Sequence, residues 1–456
     1  MSFFARERTI AGPGYNRWLV PPAALAIHLS IGQAYAFSVF NLPMTKLIGI
    51  TQSAPEDWKL TELGWIFSIA IAFLGISAAV FGRWMEENGP RRAMFASACC
   101  FGGGFLISAL GVSLHNIWIV YLGYGVIGGI GLGLGYISPV STLIKWFPDR
   151  PGMATGMAIM GFGGGAMIGS PLAVALMKYF SSDSSVGVGQ TFVVMGIVYF
   201  IVMMFGMLTV RVPADGWKPA GYVAPRQPKK LVTTAQVSVN QAMKTPQFIL
   251  LWLVLCMNVT AGIGVLGQAS AMSQEMFPGV ISPIAAAGFV GLLSLFNMAG
   301  RFIWSSTSDY IGRRNTYMIY FALGIVLYAL VPSTGHMGSV VLFVAAYAVI
   351  MSMYGGGFAT IPAYLKDVFG TMHVGAIHGR LLTAWSVAGV LGPVLVNYIR
   401  EYQISQGVAK ADAYSVTMYL MAGLLVIGFI ANFFMRAVDA RHHHAAAPQP
   451  AFQGGE

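Results

Sequence analysis

Gly82-Arg-Trp-Met-Glu86-Glu87-Asn-Gly89-Pro90-Arg91-Arg92 and Ser305-Ser-Thr-Ser-Asp309-Tyr-Ile-Gly312-Arg313-Arg314 each follow an apolar run. Both read as a small residue, three others, an acid, two others, a glycine, one other and an arginine. A shift of 223 residues places Glu86 on Asp309, Gly89 on Gly312 and Arg91 on Arg314, and also places Pro139 on Pro362 and Gly169 on Gly392. One register that holds in three distant places indicates an internal duplication.

The repeated unit is apolar. Only 9% of the 456 residues are charged, against about 25% in a soluble protein, and 56% are hydrophobic. Too few charges remain to cover a water-facing surface, so a water-soluble globule and a disordered chain are both excluded. Runs of about 20 apolar residues mark spans at 18–40, 61–82, 93–114, 117–143, 152–178, 190–210, 246–273, 283–307, 315–333, 338–363, 379–399 and 413–435. The fold class is all-α integral membrane: twelve transmembrane helices in two pseudo-symmetric six-helix bundles, a parallel repeat of the kind found in the major facilitator architecture. The expected organisation is one bundle over 1–211, a cytoplasmic linker over 212–245, a second bundle over 246–436 and a disordered cytoplasmic tail over 437–456.

Charge gives the orientation. With both termini cytoplasmic, twenty Lys and Arg fall in inside loops and five (Lys46, Lys59, Lys178, Arg400 and Lys410) outside. That asymmetry follows the positive-inside rule and accounts for the net charge of +10 without nucleic acid. The expected location is the cell inner (plasma) membrane.

The remaining basic residue, Arg301, falls in the eighth run, eight residues before Asp309, hence about 12 Å into the membrane from that helix end. Its repeat counterpart is Ala78, so the fold does not require a charge there. An ionisable group at this depth marks function. No Asp or Glu lies at similar depth, and the residue one helical turn earlier is the neutral Asn297. A guanidinium in a low-dielectric cavity holds a carboxylate through two hydrogen bonds, so the missing anion reads as the substrate. One cation matches one carboxylate.

Gln33, Tyr35, Tyr124, Tyr136, Tyr354 and Trp385 lie in spans and are candidate substrate contacts alongside Arg301 and Asn297. His28 is a candidate for proton coupling, because imidazole titrates near neutral pH. Glu86, Arg91, Asp309, Arg313 and Arg314 are expected to gate, the acid of each loop pairing with an arginine across the half. Gly123-Tyr-Gly125-Val-Ile-Gly128 matches a dinucleotide fingerprint but sits inside an apolar helix with no preceding strand. Gly125, Gly129 and Gly133 read instead as a small-residue packing stripe. Cys99, Cys100 and Cys256 have no metal-ligand or disulfide spacing. No metal, cofactor, nucleophile motif or nucleic-acid site is expected.

The chain resembles the oxalate/formate antiporter family of the major facilitator superfamily over roughly residues 17–436. The resemblance rests on Ile31-Gly-Gln-Ala-Tyr35-Ala-Phe-Ser38-Val-Phe40; on Gly135-Tyr136-x-Ser138-Pro139 followed by Lys145-Trp-Phe-Pro-Asp-Arg150; on Asn297-x-x-Gly300-Arg301 leading into Ser308-Asp309; and on Thr383-Ala-Trp385 with Gly389 and Gly392-Pro393. It implies alternating access around a carboxylate held between the halves, with Arg301 as the carboxylate-binding arginine and Gln33, Tyr35 and Tyr136 lining the pocket. Oxalate carriers of that family have a lysine in the eleventh helix where this chain has Trp385. Monocarboxylate carriers of mammalian type have an acid where this chain has Asn297.

The expected function is secondary active transport of a small monocarboxylate of lactate, pyruvate or formate type, with proton symport, by a monomer in the lipid bilayer. The alternatives are carboxylate exchange against a counter-anion and, from another class, an anion channel. A channel would need an open ring of charges or a filter. An enzyme is not expected.

Overall fold

The structure, a computed structural model, describes residues 3–222, 231–233 and 235–444. Twelve long helical stretches follow one another: α1 Arg17–Met44, α2 Leu60–Asn88, α3 Pro90–Ser113, α4 Ile117–Trp146, α5 Pro151–Phe180, α6 Val188–Thr209, α7 Pro246–Met276, α8 Pro283–Ile311, α9 Arg313–His336, α10 Val340–Phe369, α11 Val374–Ser405 and α12 Ser415–Phe433. Several outrun their apolar stretches: α2 continues to Asn88, α8 to Ile311 and α10 to Phe369. Backbone bonding continues past the hydrocarbon until a glycine stops it. The duplicated loop glycines are those stops. Gly89 has φ 88° and Gly312 has φ 87°, a conformation that side chains rarely adopt.

Three stretches depart from regular α geometry. Residues Gly32–Phe40 of α1 form a 3-10 segment, Tyr121–Gly128 of α4 is a π-helical segment, and α11 breaks between Leu381 and Thr383. Each carries or flanks candidate site residues, where such irregularity is common. The glycine stripe of α4 packs on α2: a Cβ at Gly133 would lie 2.3 Å from the Leu74 carbonyl oxygen, and one at Gly129 2.7 Å from that of Ala70. The dinucleotide reading of this segment has no structural counterpart.

The first six helices meet the last six along two contacts related by the repeat. On α5, a Cβ at Gly156 would lie 2.9 Å from the Arg301 carbonyl oxygen of α8. On α11, a Cβ at Gly379, its repeat mate, would lie 2.0 Å from that of Ala78 on α2. The loop acids close the same two contacts. Asp309 accepts from Gly152 N and Met153 N, both at 2.9 Å, at the start of α5. Glu86 accepts from Gly375 N at 2.9 Å, at the start of α11. Gly375 is the repeat mate of Gly152. Each carboxylate therefore sits on the positive end of a helix belonging to the other six.

This corrects the expected gating pairs. Asp309 does pair with Arg313, which also reaches Asp367 at 3.3 Å. Glu86 pairs with Lys145 and accepts from Ser141, while Arg91 donates to the Phe3 carbonyl and Arg314 to that of Phe433.

The Lys145–Arg150 motif acts as a bracket. Arg17 forks onto Asp149 at 2.6 and 2.9 Å and covers the Phe147 ring, and Trp146 donates to the Arg211 carbonyl. Part of the linker is seated: Val212 N donates to Thr9 O, Thr233 N to Asp367 O and Val237 N to Phe369 O. Residues 223–230 and 234, with the expected linker charges Arg226, Lys229 and Lys230, lie outside the described residues. The first part of the tail touches the linker: His444 N donates to Gln236 O, satisfying a linker carbonyl. Residues 445–456 lie outside the described residues.

Asp149→Asn is expected to cost about 1–2 kcal/mol of stability at neutral pH by removing a charge-assisted fork. Partial burial pushes the Asp149 carboxyl up, but the Arg17 guanidinium more than offsets this and holds it below the ordinary carboxylate range. The wild-type advantage is therefore complete above about pH 4 and disappears as pH falls through the depressed value. Thermal melts of both proteins between pH 3 and 7 check it, the two pH limits being on the order of the range over which carboxylates titrate. Asp309→Asn should weaken closure at the α5–α8 contact by about 1–2 kcal/mol. Alkylation of a cysteine replacing the buried Thr155, with native cysteines removed, should then accelerate about tenfold.

Candidate functional site

The α8 arginine lies at the interface between the two sets of helices. Arg301 is 0% exposed, so its charge has no solvent to compensate it. Its Nε donates to Asn297 Oδ1 at 2.8 Å, one turn earlier on the same helix. Its Nη1 donates to the Ile159 carbonyl of α5 at 3.3 Å, and among the described residues Nη2 has no hydrogen-bond partner. The guanidinium carbon lies 6.0 Å from the Tyr35 ring, 5.6 Å from Phe162 and 5.4 Å from Phe358. Aromatic faces attract the cation but supply no hydrogen-bond acceptor for its remaining N–H groups.

These rings form one cluster. Trp385 packs on Phe358 at 4.4 Å, on Tyr136 at 5.3 Å and on Phe162 at 5.4 Å. Tyr35 meets Phe162 at 5.0 Å, and its hydroxyl lies 3.3 Å from that of Tyr354 across the interface. The hydroxyls of Tyr35 and Tyr136 lie within electrostatic reach of Arg301. Among the described residues Tyr136 Oη and Trp385 Nε1 are buried without a hydrogen-bond partner, as is Arg301 Nη2. The cluster therefore offers several unused donors around one cation and no carboxylate. Buried polar groups are normally paired, and this donor excess is chemically able to meet an anionic acceptor.

The structure thus brings Arg301, Asn297, Tyr35, Tyr136, Tyr354 and Trp385 together. Gln33 and Tyr124 form a separate pair, with Tyr124 Oη donating to Gln33 Oε1 at 3.0 Å and its ring packed on Phe37 at 4.3 Å. The 3-10 geometry of α1 turns Gln33 toward α4 while Tyr35 faces the interface. His28 stacks on Tyr136 at 5.3 Å, with Nε2 3.1 Å from the Tyr136 carbonyl. Sequence reasoning missed Phe162. The signal was available: the 223 shift places Phe162 on Trp385, and the two rings pack on each other. Phe358 follows Gly355-Gly356-Gly357 as Phe162 precedes Gly163-Gly164-Gly165. A Cβ at Gly163 would lie 3.1 Å from Arg301 Nε, so this glycine lets the guanidinium lie against α5.

The chain matches the family description "Major Facilitator Superfamily" over residues 16–393 and again over 280–454, and belongs to that family. Among curated proteins it is 25% identical over 378 residues to the oxalate:formate antiporter of Oxalobacter formigenes, covering 83% of each chain. It is 25% identical over 378 residues to apicoplast pyruvate carrier 1 of Toxoplasma gondii, covering 72% of this chain and 68% of that one. Among solved structures, the major facilitator transporter FucP in its outward conformation superposes with a TM-score of 0.66 at 13% identity, over 92% of this chain and 99% of that one. This likeness bears out the all-α fold of twelve helices, and among the described residues eleven of them, all but α8, are long and apolar enough to cross a membrane.

Arg301→Met keeps the side chain's length and removes the uncompensated charge. A buried cation short of partners destabilises its host, so this variant should be more stable by about 1–3 kcal/mol and should lose carboxylate binding. Thermal melts in detergent check the first result and ligand-induced stabilisation the second. A less stable variant would mean that the protein itself satisfies the arginine.

Proposed function

We propose that this protein is a secondary active transporter that moves a small monocarboxylate of lactate, pyruvate or formate type across the membrane by alternating access, with proton symport. The observation that carries this reading is the Arg301 guanidinium, fully buried, with Nη2 unused and the donors of Tyr136 and Trp385 beside it. A carboxylate docking there would accept from Arg301 in a two-point contact and take a further donor from an aromatic neighbour. The similarity to a pyruvate carrier and an oxalate:formate antiporter supports a small carboxylate as substrate. Trp385 occupies the space where a second cation would be needed for a dianion, which favours one negative charge per substrate.

The transport cycle follows from the two repeat-related contacts. With Glu86 and Asp309 capping helices of the opposite six, the side bearing the termini is closed. Releasing both caps would open that side, and parting of Tyr35 from Tyr354 would open the other. The rocking units are residues 1–211 and 246–436, joined by the linker 212–245, and the protein works as a monomer. The termini face the cytoplasm and the membrane is the cell's inner (plasma) membrane, as the basic-residue asymmetry supports.

Carboxylate exchange is the second reading. It is favoured by the antiporter relative and by Asn297, a neutral residue hydrogen-bonded to the arginine where a proton-carrying acid would serve symport.

The test is uptake by proteoliposomes of radiolabelled formate, lactate, pyruvate and oxalate, with and without an imposed pH gradient and with trans-substrate. Monocarboxylate uptake driven by the pH gradient and accelerated by trans-substrate is the expected result. Gradient-independent exchange would select the antiporter reading. Uptake without trans-acceleration would select a channel, and selective uptake of neutral sugars would remove the carboxylate assignment. Trp385→Lys should shift the preference toward oxalate about tenfold by adding the second cation.

A further inference from the structure

His378 lies on the first segment of α11, Val374–Leu381, before the helix breaks. It is 1% exposed, and among the described residues neither ring nitrogen has a hydrogen-bond partner. Its ring lies 5.8 Å from Tyr136, which stacks on His28 at 5.3 Å. The Tyr136 carbonyl can only accept, so His28 Nε2 carries the hydrogen of that 3.1 Å contact and Nδ1 is the bare acceptor. The three rings cross the interface: His28 and Tyr136 come from the first six helices and His378 from the last. They also lie between two machines. Gly375, capped by Glu86, is three residues before His378, and Trp385 of the anion site is seven residues after it.

Buried polar groups without partners call for an explanation, and imidazole is the side chain that exchanges a proton near neutral pH. We propose that His378 is the binding site of the co-transported proton, placed on the terminal side of the anion site at the interface that must open. This inference rests on the carboxylate reading of Arg301.

The surrounding charges suit the role. On the terminal side the ionisable groups of the packed helices are already paired: Glu86 of α2 with Lys145 of α4, Arg83 of α2 with Glu87, and Asp367 of α10 with Arg313 and Lys366. On the helix of His378 itself, Arg380 has Nη1 without a partner among the described residues, and His373 accepts from Val239 N. On α7, Cys256 contacts Thr260. On α10, the Tyr354 hydroxyl meets that of Tyr35. Toward the membrane centre stand Tyr136, His28 and the Arg301 cation. The Arg301 cation acts on His28, and His28 in turn on His378. A carboxylate that neutralises Arg301 eases a second positive charge in this cluster, so anion and proton enter together. In the closed arrangement His378 is dry. Release of the Glu86 cap exposes it to water, where it can exchange its proton.

The test uses the purified full chain in detergent and weak buffer, with pyruvate as probe, between pH 5 and 7, about the range in which imidazole titrates. A pH dye reports proton uptake and tryptophan fluorescence reports binding. Wild type is expected to take up about one proton per pyruvate at the best pH. His378→Gln should bind pyruvate yet take up at most about a tenth as much. His378→Asn serves as a second variant should the first fail to fold. Pyruvate binding by wild type without proton uptake, or with uptake unchanged in both His378 variants, would overturn this inference alone. Absence of any monocarboxylate binding by wild type would overturn the functional reading and this inference with it.

Discussion

A full positive charge is buried at the interface between two sets of helices, and among the described residues no carboxylate pairs with it. Arg301 has one amide oxygen, one backbone carbonyl, three aromatic faces and the nearby hydroxyls of Tyr35 and Tyr136 for company. In a medium of low dielectric that arrangement is costly unless a further partner arrives. The surrounding features follow from this constraint. The rings exclude water from the guanidinium. Gly163 lets α5 approach it, and the unused donors of Tyr136 and Trp385 give an incoming anion more than one contact.

Closure of the interface is what keeps that charge dry. The two loop acids achieve it by the same device, each carboxylate accepting backbone N–H groups at the start of a helix from the other six. Because the helix termini are related by the repeat, the device is used twice in one register. Its strength is modest, as helix-end contacts generally are, which suits a contact that must open and close in each cycle. The additional partners differ: Lys145 and Ser141 hold Glu86, whereas Arg313 holds Asp309.

In the proposed cycle His378 connects the anion site to this closure. His378 and His28 flank Tyr136, on the side of the anion site that faces the caps. A proton there and a carboxylate on Arg301 would reduce each other's electrostatic cost. Asn297, lying where related carriers would have an acid, then serves to orient the arginine, and the proton has a different residue to occupy.

Much was legible in the sequence. Charge scarcity required a bilayer, apolar run length counted the helices, and the 223-residue register revealed the duplication. Arg301 stood out because one ionised residue amid some twenty apolar ones has no inexpensive explanation. Composition and periodicity are local or one-dimensional, and these properties are too. What only the tertiary structure decided concerns partners distant in the chain. Glu86 meets Gly375 rather than Arg91, Tyr124 holds Gln33 away from the arginine, and Phe162 joins the site from α5. His378 lies opposite His28. Each depends on how two six-helix sets face one another, and on the local breaks in α1 and α11 that aim their side chains. Those are consequences of packing, and no linear pattern records them.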